Sequence, residues 1–244
     1  VARSAPLVYE EVEMHARVSR RGFLTSAGLG VAAAVADPLA SNALAGLSEP
    51  TPRQAVRRLV DGNRRWVTGR LTHPHQSLKR RIALRHVQNP FATVFSCIDS
   101  RVPPELVFDT GIGDLAVIRT GAQVLDEGVV YGSIEFTPDH LGSPLILVMG
   151  HQRCGAVQSA AHLIRDGGTA PGHIQSIVEA LRPAYEVAIK QPGDLIDNMV
   201  RAQTKLTVGR LRADPLLHEF IHDDKLAVAG AYYSLDTGKA SIIA

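Results

Sequence analysis

The sequence predicts an α/β fold: a mostly parallel central sheet of four to five strands flanked by helices. Three observations predict it. Four short apolar runs, at residues 91–96, 115–119, 145–149 and 226–232, have the composition of strands buried on both faces. Helical patterns separate most of them, near 125–136, 156–165, 174–190 and 195–211, and strand–helix–strand alternation means parallel pairing through right-handed crossovers. A chain of 244 residues, 45% hydrophobic and 20% charged, also has the apolar side chains for one sizeable core.

The amino-terminal segment carries Ser19-Arg20-Arg21-Gly22-Phe23-Leu24-Thr25, an uncharged Ala- and Gly-rich run over 22–36, and the small tripeptide Ala43-Leu44-Ala45. In that order the three features resemble a twin-arginine export signal. Residues 1–45 are expected to engage the twin-arginine export machinery and to be removed. Residues 46–244 then form one domain, exported to the periplasm, cell envelope or exterior. The run is too short for a bilayer span, and no permanent membrane span is expected.

Thr51-Pro52-Arg53-Gln54 reads as a helix start, with Thr as cap, Pro at the first helical position and Gln placed to bond back to the cap. Ala55, Val56, Leu59, Val60, Trp66 and Val67 follow at helical spacing, and Gly69 can end the helix. A second amphipathic helix is expected over 78–87, and 240–243 reads as an edge strand.

The formal net charge of +2, from 26 basic and 24 acidic residues, sets up no field that favours nucleic acid or an anionic membrane. Arg57, Arg58, Arg64 and Arg65 fall on the outer faces of the first helix, where solvated charge is usual. Two cysteines, Cys97 and Cys154, are too few for a disulfide-stapled scaffold.

Those cysteines sit in informative places. Cys97 directly follows the first strand, and His151 and Cys154 follow the third after Gly150, so three potential metal ligands lie at the carboxyl ends of parallel strands. Open α/β sheets put their sites there. Two thiolates and an imidazole suit Zn2+, with a fourth position left for water or a carboxylate. A Cys97–Cys154 disulfide or two inert core thiols are the alternatives on spacing alone. Asp99 and Arg101, at alternate positions after Cys97, can form a bidentate carboxylate–guanidinium pair beside the metal.

The segments Cys97-Ile98-Asp99-Ser100-Arg101-Val102-Pro103-Pro104-Glu105 and Gly150-His151-Gln152-Arg153-Cys154-Gly155 resemble the two signatures of the β-class carbonic anhydrases. Gly113-Asp114-Leu115, Arg119, the segment 132–136 and the stretch 228–235 extend the similarity across most of 51–239. The resemblance implies a zinc enzyme that interconverts CO2 and bicarbonate, built as a homodimer or a higher even oligomer with its active site near the subunit interface. It implies that Cys97, His151 and Cys154 are the zinc ligands, that Asp99 accepts a hydrogen bond from zinc-bound water, and that Arg101 holds Asp99 off the metal. If that pair parts, Asp99 is expected to bind zinc itself and close the site. Gln88 matches a glutamine that donates to substrate oxygen, and Phe136 falls where an aromatic residue lines the CO2 pocket.

Two departures from the family pattern stand out. Ala116 occupies a position usually held by Phe, and Arg119-Thr120-Gly121-Ala122-Gln123 stands where Arg-Asn-Ala-Gly-Asn or similar is usual, leaving pocket volume and local backbone open. A widened pocket would suit carbonyl sulfide or carbon disulfide hydrolysis, and a zinc-containing structural or interaction module without activity is the alternative from another class. For the implied reaction, attack of zinc-bound hydroxide on CO2, His73 and His75 are weak candidates for carrying the released proton.

Overall fold

The structure, a computed structural model, describes residues 50–126 and 128–244; the segment read as an export signal lies outside the described residues. Helix α1 (Pro52–Val67) begins as its sequence requires. Thr51 Oγ1 accepts from the Gln54 N–H and the Gln54 side chain accepts from the Thr51 N–H at 2.8 Å. Helix α2 (Leu78–Ala83) is shorter than expected, because residues 84–87 loosen into three-residue turns ahead of Pro90, whose ring disfavours helix before it.

Five strands then form one sheet: β1 (Ala92–Cys97), β2 (Leu115–Thr120), β3 (Leu145–His151), β4 (Ala227–Tyr233) and β5 (Ala240–Ile242). Their order is β2-β1-β3-β4-β5, with the first four parallel and β5 antiparallel to β4. β1 and β3 are buried on both faces. All six residues of β2 are only half-buried, a correction to its expected full burial that follows from its place at the sheet edge.

Short α3 (Pro104–Val107), starting at a Pro-Pro pair, links β1 to β2, and α4 (Val129–Leu141) links β2 to β3. The latter begins later than its apolar pattern, since Gly128, at φ 100°, stands outside the helix as its cap. Helices α5 (Gly155–Asp166), α6 (Ile174–Ala188) and α7 (Leu195–Arg212) follow within a few residues of expectation. Helix α8 (Pro215–His222) was not expected, although Asp214 caps it by accepting from the Leu217 N–H and Pro215 opens it.

Alternate residues of β1 and β3 face opposite layers. Val94, Leu147 and Met149 pack with Ala55 and Leu59 of α1, while Phe95, Ile146 and Val148 pack with Ile134 of α4 and Leu211 of α7. Cys97 and Cys154 lie in a third cluster, under α5, α6 and α7. Gly62 lets α1 approach closely, as a Cβ there would fall 1.8 Å from the Phe108 carbonyl oxygen. The chain leaves β1 for β2 on one side and crosses to β3 on the other, so the carboxyl ends of β1 and β3 flank the point where strand order reverses, a crevice suited to a ligand.

Candidate metal centre

Cys97 ends β1, His151 ends β3, and Cys154 caps the start of α5. All three are buried, and their ligand atoms lie within 4.8 Å of one another. Both cysteines are free, with sulfurs 3.8 Å apart. A disulfide brings sulfurs to about 2.05 Å, so the bridge is not formed. Two thiolates about 2.3 Å from a tetrahedral ion stand about 3.8 Å apart, and the observed spacing meets that requirement.

The imidazole supplies a second test. His151 Nδ1 lies 3.0 Å from the main-chain oxygen of Gln152, an acceptor, so Nδ1 carries the proton. Nε2 is then a bare lone pair, fully buried and without a hydrogen-bond partner among the described residues. A buried acceptor without a partner is costly, and a cation beside it and the two sulfurs would satisfy it. This donor set fits Zn2+.

The sulfurs differ in environment. Their mutual hydrogen bond lowers the pKa of Cys97 despite burial, aided by backbone N–H groups. The same bond, together with burial, raises that of Cys154. The Ala122 N–H points at Cys97 Sγ over 3.3 Å.

Asp99 stands just outside the cluster. Arg101 donates to it twice, Nε to Oδ1 at 2.9 Å and Nη2 to Oδ2 at 2.7 Å, and the Arg101 backbone N–H adds a third bond at 2.9 Å. The guanidinium holds the carboxyl at about 2, well below the usual range. Oδ2 is 3.8 Å from His151 Nε2. Two further contacts were not legible in the sequence. Arg119, at the end of β2, donates to the main-chain oxygens of Cys97 at 2.7 Å and Asp99 at 2.6 Å, pinning the loop between them. Arg153, at φ 51°, turns its carbonyl to Arg101 Nη2 at 3.3 Å, and its own guanidinium grips Asp236 in the turn between β4 and β5.

The family model for carbonic anhydrase matches residues 92–240. The chain is 39% identical over 190 residues to carbonic anhydrase 2 of Mycobacterium tuberculosis, covering 78% of this chain and 91% of that protein. The chain belongs to the β-class carbonic anhydrase family. A carbonic anhydrase of Mycolicibacterium smegmatis is 35% identical over 192 residues, covering 78% of this chain and 93% of the relative. Among solved structures, the β-carbonic anhydrase CcaA superposes with a TM-score of 0.60 at 25% identity, over 77% of this chain and 94% of that one. Tetrameric β-carbonic anhydrases of Sordaria macrospora share the fold, with a TM-score of 0.61 at 20% identity, over 77% and 96% of the respective chains.

The remaining candidate residues of this carbonic anhydrase lie farther out. Gln88 is exposed in the segment leading into β1, and Phe136 is 48% exposed on α4, stacked on His140. Neither is buried in a pocket of the single protomer. His75 is held by Asp114, with Nδ1 2.7 Å from Oδ1, just ahead of β2, whereas Cys97 pairs with Thr120 at the far end of that strand. At about 3.3 Å per residue a strand of this length separates them by nearly 20 Å, too far for direct proton transfer.

Proposed function

We propose that this chain catalyses the reversible hydration of CO2 to bicarbonate and a proton, with Zn2+ held by Cys97, His151 and Cys154. The observation that carries the reading is the buried, unpartnered Nε2 of His151 facing two sulfurs spaced as thiolate ligands. When bound, Zn2+ supplies the Lewis acidity that makes water a nucleophile near neutral pH, less strongly beside two thiolates than beside three neutral imidazoles.

The chain's own residues do the rest. Asp99 stays ionised down to about pH 2, so across any working range it only accepts hydrogen bonds. It therefore selects a donor beside it, the O–H of the attacking water, and fixes that group's orientation toward CO2. Arg101 occupies both carboxylate oxygens and would keep Asp99 from serving as a metal ligand; with that pair parted, Asp99 would be free to bind the metal itself and close the site. Arg119 fixes the Cys97–Asp99 backbone, so ligand and acceptor move together.

Gln88 as a donor to substrate oxygen and Phe136 as an apolar wall belong to the same reading. Both side chains are exposed in one protomer, which favours a pocket completed across a homodimer or higher even oligomer. Export through the twin-arginine machinery, with removal of residues 1–45, rests on the paired arginines and Ala43-Leu44-Ala45. No helix among the described residues is long and apolar enough to cross a membrane.

The test joins metal analysis of purified protein to stopped-flow CO2 hydration. One zinc per chain with rapid hydration is the expected result. Zinc-loaded protein that ignores CO2 but hydrolyses carbonyl sulfide would change the substrate, and protein that takes up no zinc would overturn the reading.

A further inference from the structure

Residues 121–123 form a short 3-10 turn in which two consecutive non-glycine residues, Ala122 at φ 53° and Gln123 at φ 44°, adopt the left-handed region. Side chains with a Cβ rarely take that conformation, and such strain persists only where surrounding structure imposes it. The imposing contact is visible. Gln123, 1% exposed, donates from Nε2 to Thr204 Oγ1 on α7 at 3.2 Å; Thr204, fully buried, donates onward to the Val200 carbonyl at 2.9 Å. Both side chains press on Gly150, where an added Cβ would meet Thr204 Oγ1 at 2.4 Å and Gln123 Nε2 at 3.0 Å. On the other side Gly121 abuts Ile177 of α6, leaving 2.8 Å for a Cβ. The strained turn is thus clamped between α6, α7 and the end of β3, and it aims the Ala122 N–H at Cys97 Sγ.

We propose that the buried Gln123–Thr204 hydrogen bond is a positioning lock for the metal centre, holding 121–123 in the left-handed turn that delivers the Ala122 N–H to the Cys97 sulfur. This rests on the zinc reading above. The lock acts through Ala122, so Gln123 and Thr204 are positioning residues that touch neither metal nor substrate. N–H donation to a ligating sulfur orients it and moderates its charge, and outer-shell contacts of this kind typically change metal affinity by about 10–100-fold. Helix α7, which carries no ligand, becomes part of the metal site through Thr204.

The test measures Zn2+ affinity by competition with a chromophoric chelator, and the sulfur-to-metal charge-transfer band after loading with Co2+. Gln123→Met and Thr204→Val remove donor and acceptor with little change of volume. Each is expected to weaken zinc binding about tenfold or more and to alter the Co2+ band, while Thr204→Ser, which keeps the hydroxyl, matches wild type. Ala122→Gly, free to adopt positive φ unaided, is expected to recover part of the loss when combined with either variant. Should Gln123→Met fail to fold, Thr204→Val with and without Ala122→Gly decides the matter. Wild-type affinity and spectrum in a folded variant, or a loss that Ala122→Gly does not relieve, would overturn the lock. Wild-type protein that binds no Zn2+ is a separate failure, of the zinc reading on which the lock depends.

Discussion

Arg101 occupies both carboxylate oxygens of Asp99, at 2.9 and 2.7 Å, while one of those oxygens lies only 3.8 Å from the free nitrogen of His151. A single guanidinium therefore holds Asp99 beside the Cys97–His151–Cys154 cluster; in the zinc reading proposed above, it is what would keep the carboxylate from becoming a fourth ligand.

Arg101→Ala removes that restraint. Asp99 returns toward the ordinary carboxylate range yet stays ionised at neutral pH, so the effect there is one of position. CO2 hydration is expected to fall by about 10–100-fold with zinc content unchanged. In the wild type no inflection between pH 4 and 9 belongs to Asp99, because its titration lies near pH 2. Stopped-flow rates across that range, beside metal analysis of the same samples, check both points; near-normal turnover in the variant counts against gating by the pair.

The separation of the two sulfurs gives a second expectation. Thiol reagents should find Cys97 and Cys154 protected in zinc-loaded protein and reactive after chelation and unfolding without any reductant. A covalent Cys97–Cys154 bridge in active protein contradicts the site.

Asp236 and Arg153 face solvent, and an exposed ion pair adds little to stability. Asp236→Ala should therefore leave thermal stability almost unchanged. Its effect should fall on rate, because Arg153 turns its carbonyl to Arg101. High salt should lower wild-type turnover toward that of Asp236→Ala and leave the variant less affected.

Asp109, 3% exposed at φ 44°, tests electrostatics away from the site. Burial would raise its pKa, but Arg65, the Thr72 N–H and hydroxyl and the His73 N–H outweigh it and hold it at about 2. A lowered carboxylate stabilises the fold above its ordinary pKa, and that contribution is lost as pH falls from about 4 toward 2. Asp109→Asn, which tolerates this backbone, should cost on the order of 1–2 kcal/mol at pH 7 and almost nothing near pH 2 in denaturant titrations. An equal cost at both pH values would remove the electrostatic explanation.

The strands were legible because β1 and β3 are buried on both faces, so uninterrupted apolar runs record them directly. The clustering of Cys97, His151 and Cys154 was legible because their residue types are chemically narrow and follow those runs. Boundaries failed where one backbone angle outweighed apolar periodicity, as at Gly128. Helix α8 was missed although Asp214-Pro215 signalled its start, because the apolar pattern of eight residues is short. The turn at Ala122 and Gln123 could not be read at all: neither residue advertises positive φ, and the contact that enforces it comes from Thr204, 81 positions away. Arg153 and Asp236 likewise meet only after β4 has been laid beside β3.

Asn63 of α1 donates to the carbonyls of Val107 and Gly238 and accepts from the Ala240 N–H, a residue 177 positions later. The turn it fastens carries Asp236, and through Arg153 that turn backs the Arg153 carbonyl that accepts from Arg101 Nη2. During synthesis, residues 92–154 leave the ribosome with Cys97, His151 and Cys154 all in hand but without this outer support, which arrives only after β4 and the turn beyond it are made. Closing so long a loop is slow and comes late. The Cys97–His151–Cys154 cluster and its Asp99–Arg101 neighbours are thus expected to be the last part of the molecule to ripen: a nascent chain can hold these side chains well before it can hold them in their final order.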